Sequence, residues 1–530
     1  MAVGTTIERY KRNLMLFEMD VVAQSGCSLF RRGRSQARMR NGEGWAMDQQ
    51  PVPIRKINKE FLEKVTPPPS PSDATKSSDG GSEPDVLPTD PACDPDHPVK
   101  ITFSDVSSAA FNIKNGVLRT PCNKSANLSK LLDMELYFKK EYLQVTGSFK
   151  ERGARYALSR LSKEEKERGV IAASAGNHAL ALSYHGQQLG IPVNVVMPVF
   201  APLMKIGMCR SYGANVILKG DNIGKAKEHA MRLVAEKKFK YINGYDHPDI
   251  LAGQGTIGLE ILEQVPDVDA VVVPVGGAGL IAGIAVAVKT LKPHIQVIAV
   301  ESDTCPSYTE ALKAGKPVMA SVRSTLADGE HMHTFKKTSK SIITSMHNLS
   351  QQSALFEGLA VPMVGGNALA TLEGLVDKHV LVCEESTALS ILRLIEMEKA
   401  VVEGGGAVGL AAMITGKLPE LRGKKVVTIL TGGNIDTTVL GRTIERGLAV
   451  DGRLIRLEVV VSDRPGGIAE LASQIAHMGA SIKDIFHERA WIATDVFSVR
   501  VKVVAETRDR QHVAELEEML RSKYDDVKVS

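Results

Sequence analysis

A chain of 530 residues with 43% hydrophobic content is long enough for about three domains with substantial cores. Its formal net charge is only +4, which removes any global electrostatic reason to expect a nucleic-acid or membrane partner. The six cysteines, at positions 27, 93, 122, 209, 305 and 383, show no paired spacing. Neither a zinc site nor a disulfide framework is expected, and a reducing compartment fits.

Residues 1–98 contrast with the rest. Nine of the 24 prolines fall between Pro67 and Pro98, mixed with serine, aspartate and glycine, which is the composition of an unpacked linker. A disordered extension is expected. Upstream, Arg31, Arg32, Arg34, Arg38 and Arg40 form a basic cluster, but Glu8, Glu18 and Asp20 precede it. The cytoplasm is therefore the expected location, with the mitochondrion as the alternative.

From Phe103 onward, apolar strand-like runs alternate with helical ones, a pattern of parallel sheets covered by helices on both faces. The first chemical feature is Lys150, where a Thr146-Gly147 turn gives way to a helical pattern over Arg152 to Arg160. Stripped of solvent there, its amine would lose pKa and become able to form an imine. Next, the strand Val170 to Ala173 leads into Ser174-Ala175-Gly176-Asn177-His178 and a helix Ala179 to Leu189. Asn177 and the free N–H groups of that turn could hold a ring hydroxyl and a carboxylate. Strands follow at Val193 to Met197 and Asn215 to Leu218.

Ala270 to Val288 is a run of 19 residues without a charge, but Pro274 and glycines 276, 277, 279 and 283 interrupt it. A buried strand, a turn and a helix explain it better than a membrane span. The turn, Val275-Gly276-Gly277-Ala278-Gly279-Leu280, suits a phosphate held by backbone N–H groups at a helix N-terminus. It also reads as Gly277-x-Gly279-x-x-Ala282 before a strand Gln296 to Val300 ending at Glu301, which imitates a dinucleotide fingerprint with its ribose-binding acid. A further strand, Lys425 to Leu430, ends in Thr431-Gly432-Gly433-Asn434.

After Asp451-Gly452 the pattern changes. Strands Leu454 to Val461, Ile482 to Glu488 and Asp495 to Val504, with helices Ile468 to His477 and Arg510 to Ser522, run β-α-β-β-α and are read as a domain of βαββαβ order.

The runs Ser148-Phe149-Lys150-Glu151-Arg152-Gly153-Ala154, Ala173 to Ala179, Gly253-Gln254-Gly255-Thr256, Val275 to Leu280 and Thr431 to Asn434 resemble the pyridoxal-phosphate threonine and serine ammonia-lyases over about Val99 to Ala449. The resemblance implies an α/β, two-lobed fold-type II pyridoxal-phosphate enzyme, tryptophan synthase β-like, with the cofactor in the cleft. It implies that Lys150 carries pyridoxal 5'-phosphate and that Asn177 lies beside the ring hydroxyl. Gly276, Gly277, Ala278, Gly279 and Leu280 would hold the phosphate, Thr431 would face the pyridine nitrogen, and Ser174, Ala175, Gly176, Asn177 and His178 would hold the substrate carboxylate. The implied activity is deaminating dehydration of L-threonine, and of L-serine, by β-elimination. This is the chemistry of threonine catabolism and isoleucine biosynthesis.

Departures from the family are informative. Its phosphate loop commonly has four glycines, and Ala278 is tolerable in the third place if its φ is negative. Serine racemases usually carry a second serine where this chain has Ala175, so racemisation should be minor. Some relatives hold a cation at a strand end matching Glu301, Cys305 and Ser307, of which only Glu301 is a good hard ligand. The family commonly runs Leu-Ala-Asp-Gly-Leu-Ala-Val, whereas here residues 330–358 separate Gly329 from Leu359.

The expected organisation is an extension over 1–98, a catalytic domain over 99–450 with an insertion at 330–358, and an ACT-like, ferredoxin-like regulatory domain over 454–530. A homo-oligomer, dimer or tetramer, and a small-molecule effector at the ACT domain go with it. The competing readings are a serine racemase-like enzyme, a nicotinamide dinucleotide-binding enzyme and an amino-acid sensor disabled by the insertion.

Overall fold

The computed structural model of the chain describes residues 90–321, 359–490 and 496–530. A helix, Phe103–Ile113, precedes two strands, β1 (Cys122–Lys124) and β2 (Glu135–Lys139), which pair antiparallel. The chain then builds a separate four-stranded sheet from β3 (Val170–Ala173), β4 (Val193–Met197), β5 (Asn215–Leu218) and β6 (Lys240–Tyr241), parallel throughout in the order β5-β4-β3-β6. It returns with β7 (Ala270–Pro274), β8 (Gln296–Ser302), β9 (Lys378–Val382) and β10 (Lys425–Ile429) to complete the first sheet, in the order β1-β2-β10-β7-β8-β9. Each sheet is the centre of one lobe. Every residue of β4 and β7 is buried, as a strand covered by helices on both faces requires, and this is why those runs carry no polar alternation.

Three helices knit the catalytic body together: Lys150–Arg160, Pro248–Gln264 and Gly279–Leu291. Glycine lets them approach. A Cβ on Gly253 would stand 2.6 Å from the Gly153 Cα, and one on Gly255 would stand 2.8 Å from the Gly283 carbonyl oxygen. The Gly253-Gln254-Gly255-Thr256 run is thus a double crossing point, where the helix Pro248–Gln264 packs closely on the helix that begins at Lys150 and on the helix that begins at Gly279.

The C-terminal domain obeys a different rule. β11 (Leu454–Ser462), β12 (Ser481–Glu488), β13 (Ser498–Glu506) and β14 (Val527–Val529) form an antiparallel sheet in the order β12-β13-β11-β14. Val499, Val501, Val503 and Ala505 alternate inward on β13 against Leu471, Ile475, Leu516 and Leu520 of two helices. This is the βαββαβ arrangement expected from the pattern. Its entry is set by Gly452, which ends the helix Thr437–Asp451 at φ +76°.

Several expectations change. The linker ends before residue 98: Cys93 and Asp90 are already packed, and Asn367 binds both the Ala92 carbonyl (2.7 Å) and the Val99 N–H (2.7 Å). A side-chain amide that takes both kinds of backbone group can order a segment whose own composition argues against packing. The helices begin at Lys150 and Asn177, two residues earlier than their apolar periods start, which puts both site residues on a first turn. β13 begins at Ser498, and residues 491–495 lie outside the described residues, as does the whole 330–358 insertion. The flanks of that insertion meet: the Ala320 N–H donates to the Pro362 carbonyl at 2.8 Å. Ala270 to Val288 is β7, a turn and a buried helix, and among the described residues no helix is long and apolar enough to cross a membrane.

Candidate active site

The site is assembled from the carboxyl ends of β3, β7 and β10 and from the turn before the helix Lys150–Arg160, which is where open α/β sheets place their ligands. Lys150 projects its amine onto the Gly244 carbonyl oxygen at 2.5 Å and lies 5.0 Å from the centre of the Phe149 ring. Loss of water around the amine pulls its pKa down to about 8, partly offset by the negative charge of Glu403. A substantial neutral fraction therefore exists near physiological pH.

Asn177 is the most tightly oriented group. Its Oδ1 accepts from Asn434 Nδ2 (2.8 Å) and its Nδ2 donates to Glu403 Oε1 (2.8 Å), so the amide cannot flip without losing both bonds. Asn434 Nδ2 also donates to the Thr146 carbonyl at 2.7 Å. Glu403 is a site residue that sequence reasoning missed. The signal available was an acid at the N-terminal cap of the glycine-rich helix Gly404–Ile414, which looks no different from ordinary helix capping.

The glycine turn is a cradle enforced by a neighbour. A Cβ on Gly277 would come within 2.4 Å of the Tyr245 ring, and one on Gly279 within 2.2 Å of the Tyr245 carbonyl oxygen. Gly276 accepts from Ser307 Oγ at 3.4 Å, and Gly277 from the Gly365 N–H at 3.1 Å. Leu280 lies in the first turn of the helix that follows. Ala278 contradicts its expectation: φ is +69°, in the left-handed region, and the residue is buried. The turn that swings the chain from β7 into the helix dictates that conformation, at a cost of roughly 1 kcal/mol for a residue with a Cβ.

Ser174 Oγ accepts from the Gly176 N–H at 3.3 Å, so the turn from Ser174 through Ala175 to Gly176 is closed on itself. His178 turns away from this loop. Its Nε2 contacts the Ile242 carbonyl at 3.0 Å, and its ring lies under Gly244, where an added Cβ would be 2.6 Å from it. Burial pushes its pKa down to about 3, with the Lys150 charge adding to the effect, so the ring is neutral. A neutral ring that donates from Nε2 presents a bare Nδ1 lone pair. The side chain therefore supports the backbone carrying Lys150's acceptor, and only the His178 N–H remains for a carboxylate. Thr431 is buried at the end of β10, and its carbonyl accepts from the Phe149 N–H at 3.0 Å.

Pyridoxal phosphate fits this chemistry. Buried Thr146 Oγ1, Ser148 Oγ and His178 Nδ1 have no hydrogen-bond partner, so the region around the amine is polar and unsatisfied. The oriented amide of Asn177 is tied to it through Asn434 and Thr146, and the desolvated Lys150 amine reaches the carbonyl of Gly244, against which the His178 ring packs. Glu301 serves another purpose: its two oxygens accept from the Tyr308 N–H (2.7 Å), the Thr309 N–H (2.9 Å) and Thr309 Oγ1 (2.6 Å), capping the helix Ser307–Ala314. It is neither placed for a ribose nor open to a cation, and among the described residues no group of three His, Cys, Asp or Glu is placed to hold a metal ion.

Two α/β lobes of this kind define the fold-type II class of pyridoxal-phosphate enzymes. Residues 113–432 match the family model described as pyridoxal-phosphate dependent enzyme, and the chain belongs to that family. It is 40% identical over 429 residues to L-threonine ammonia-lyase of Thermotoga maritima, covering 81% of this chain and 99% of the relative. It is 38% identical to L-threonine ammonia-lyase of Geobacter sulfurreducens, over 78% and 96% of the two chains. Among solved structures it is similar to the processed form of threonine deaminase isoform 2 from Solanum lycopersicum, with TM-score 0.57, 32% identity and coverage of 66% and 95%. Serine racemase from Dictyostelium discoideum gives TM-score 0.55, 30% identity and coverage of 64% and 100%. The dinucleotide reading of the glycine turn is thereby overturned.

Proposed function

We propose that this chain is a pyridoxal-phosphate-dependent ammonia-lyase that converts L-threonine to 2-oxobutanoate and ammonia, and L-serine to pyruvate and ammonia. The observation that carries the reading is the Lys150 amine, brought down to about 8 by desolvation and held on the Gly244 carbonyl. When bound, the cofactor supplies an electron sink for the substrate Cα. The protein does the rest. Lys150 Nζ takes the Cα proton, and the Gly244 oxygen stabilises the ammonium that results. Asn177, locked by Asn434 and Glu403, would hold the cofactor ring by its hydroxyl. The Ser174 to Gly176 turn and the His178 N–H bind the substrate carboxylate, and Thr431 offers the ring nitrogen a neutral hydroxyl. Loss of the proton and the β-hydroxyl leaves an enamine that water hydrolyses to the 2-oxo acid and ammonia.

Ala175 supports elimination over racemisation, because a methyl group returns no proton to the opposite face. The meeting of the insertion's flanks at Ala320 and Pro362 supports an active enzyme over a disabled sensor. One methyl separates threonine from serine, worth about 1–3 kcal/mol in an apolar pocket, so both substrates are expected to turn over. The βαββαβ domain is assigned to effector binding and to assembly as a dimer or tetramer, and the enzyme to the cytoplasm. The test is Lys150→Ala. It should abolish the visible absorbance of the lysine-bound cofactor and lower ammonia release from threonine by at least about 10²-fold, the low end of what a positioned acid–base group supplies. Retention of both would overturn the reading.

A further inference from the structure

Glu151 and His185 form a buried pair that the reaction does not directly use. Glu151 is 1% exposed and His185 is wholly buried, with His185 Nε2 at 3.2 Å from Glu151 Oε2. Glu151 Oε2 and both ring nitrogens of His185 have no hydrogen-bond partner, so the two groups meet at ion-pair distance with nothing else beside them to answer either one. A carboxylate sealed from water needs a donor on each oxygen, and His185 is the group facing this one.

The other oxygen leads to the active site. Glu151 Oε1 accepts from the Thr146 N–H, and the Thr146 carbonyl accepts from Asn434 Nδ2 at 2.7 Å. Asn434 Nδ2 donates in turn to Asn177 Oδ1 at 2.8 Å. The turn is tight: Gly147 has φ +74°, and its carbonyl accepts from the Gly433 N–H at 3.0 Å. The path also closes on itself. His185 and Asn177 belong to one helix, Asn177–Leu189, eight positions apart, or about 12 Å along the axis. Glu151 follows Lys150 on another. The His185–Glu151 contact therefore fixes the helix that starts at the ring-orienting amide against the helix that starts at the reactive amine.

We infer that His185 and Glu151 are positioning residues for the elimination, His185 holding the Glu151 carboxylate so that it pins the Thr146-Gly147 turn and, through Asn434, the side chain of Asn177. The inference rests on the cofactor-site reading above. The bond that this contact keeps in place, from the Thr146 N–H to the Glu151 carboxylate, is a hydrogen bond to a carboxylate and is worth about 10- to 100-fold in an equilibrium or a rate.

The experiment compares His185→Asn with His185→Gln in purified enzyme, reading the cofactor dissociation constant of the apoprotein, kcat and KM for threonine, and the melting temperature. Glutamine can carry an amide N–H to Glu151, whereas asparagine is too short. His185→Asn should weaken cofactor binding and lower kcat by about 10-fold or more with KM nearly unchanged, and His185→Gln should recover most of both. Equal behaviour of the two variants, or a change in melting temperature alone, would overturn the assignment. Wild-type apoprotein that captures no pyridoxal phosphate would instead sink the underlying reading, whatever the variants do.

Discussion

The catalytic body and the C-terminal domain manage charge and backbone in opposite ways. In the body, Arg152 is wholly buried and bidentate to Glu141, at 2.9 Å and 2.7 Å, while also reaching Glu260 at 2.7 Å and 2.9 Å; Lys139 meets Glu260 at 2.5 Å. Two cations face two carboxylates, so the cluster is balanced, and Glu141 holds its charge despite burial because the Arg152 guanidinium lowers its pKa. In the C-terminal domain the ion pairs sit at the surface, as with Arg500 and Asp526 at 3.6 Å, and the interior is aliphatic. The first arrangement is costly to build and specifies one geometry, two residues from Lys150. The second is tolerant, because a surface pair stays solvated when one partner is lost.

The sharpest way to break this contrast is Arg152→Ala, which leaves Glu141 buried without its cation and Glu260 with Lys139 alone. It should destabilise the protein by about 3–5 kcal/mol, against about 1 kcal/mol or less for Arg500→Ala. Comparable losses in chemical denaturation would show that the buried cluster is no more consequential than a surface pair.

Glycines give a smaller test of the same kind. Gly253→Ala drives a Cβ into the backbone of the helix bearing Lys150, and should cost about 1–3 kcal/mol together with weaker cofactor binding. Gly479→Ala in the C-terminal domain has open space around it and only a φ of +82° to resist, so about 1 kcal/mol is expected and cofactor affinity should not move.

The smallest stability effect is at Ala278. Glycine there should relieve left-handed strain and stabilise by about 1 kcal/mol or less, read as a raised denaturation midpoint. The Lys150 environment can be sharpened with pH. Because desolvation lowers the folded pKa, the neutral amine predominates above about 8, so capture of cofactor by apoprotein should accelerate as pH rises to about 8 and then level off. A rise continuing toward the ordinary lysine value of 10.5 would show that the amine is solvated.

Much of the site could be read before any coordinates. Asn177, the Gly276 to Leu280 turn and Thr431 each follow a strand-like run, Lys150 follows the Thr146-Gly147 turn, and glycine next to small polar residues at such a place is a local signal. Glu403, Gly244, Tyr245 and His185 were not legible. A glutamate that caps a helix and a glutamate that locks an amide look identical along the chain, and a backbone carbonyl leaves no trace in residue type. Glu301 errs in the other direction, since an acid at a strand end resembles a ligand until its donors, seven and eight residues on, are seen to occupy it.

Local chemistry thus determined the order of strands and helices, the βαββαβ tail and the identity of the amine, because hydrophobic period and turn residues act over a few positions. Three things depended on tertiary structure: the left-handed backbone at Ala278, the ordering of Asp90 to Val99 by Asn367, and the hydrogen-bonded path from His185 to Asn177. The last two arise where segments tens to hundreds of residues apart are forced together, and the free energy that settles them belongs to the contact and not to either segment.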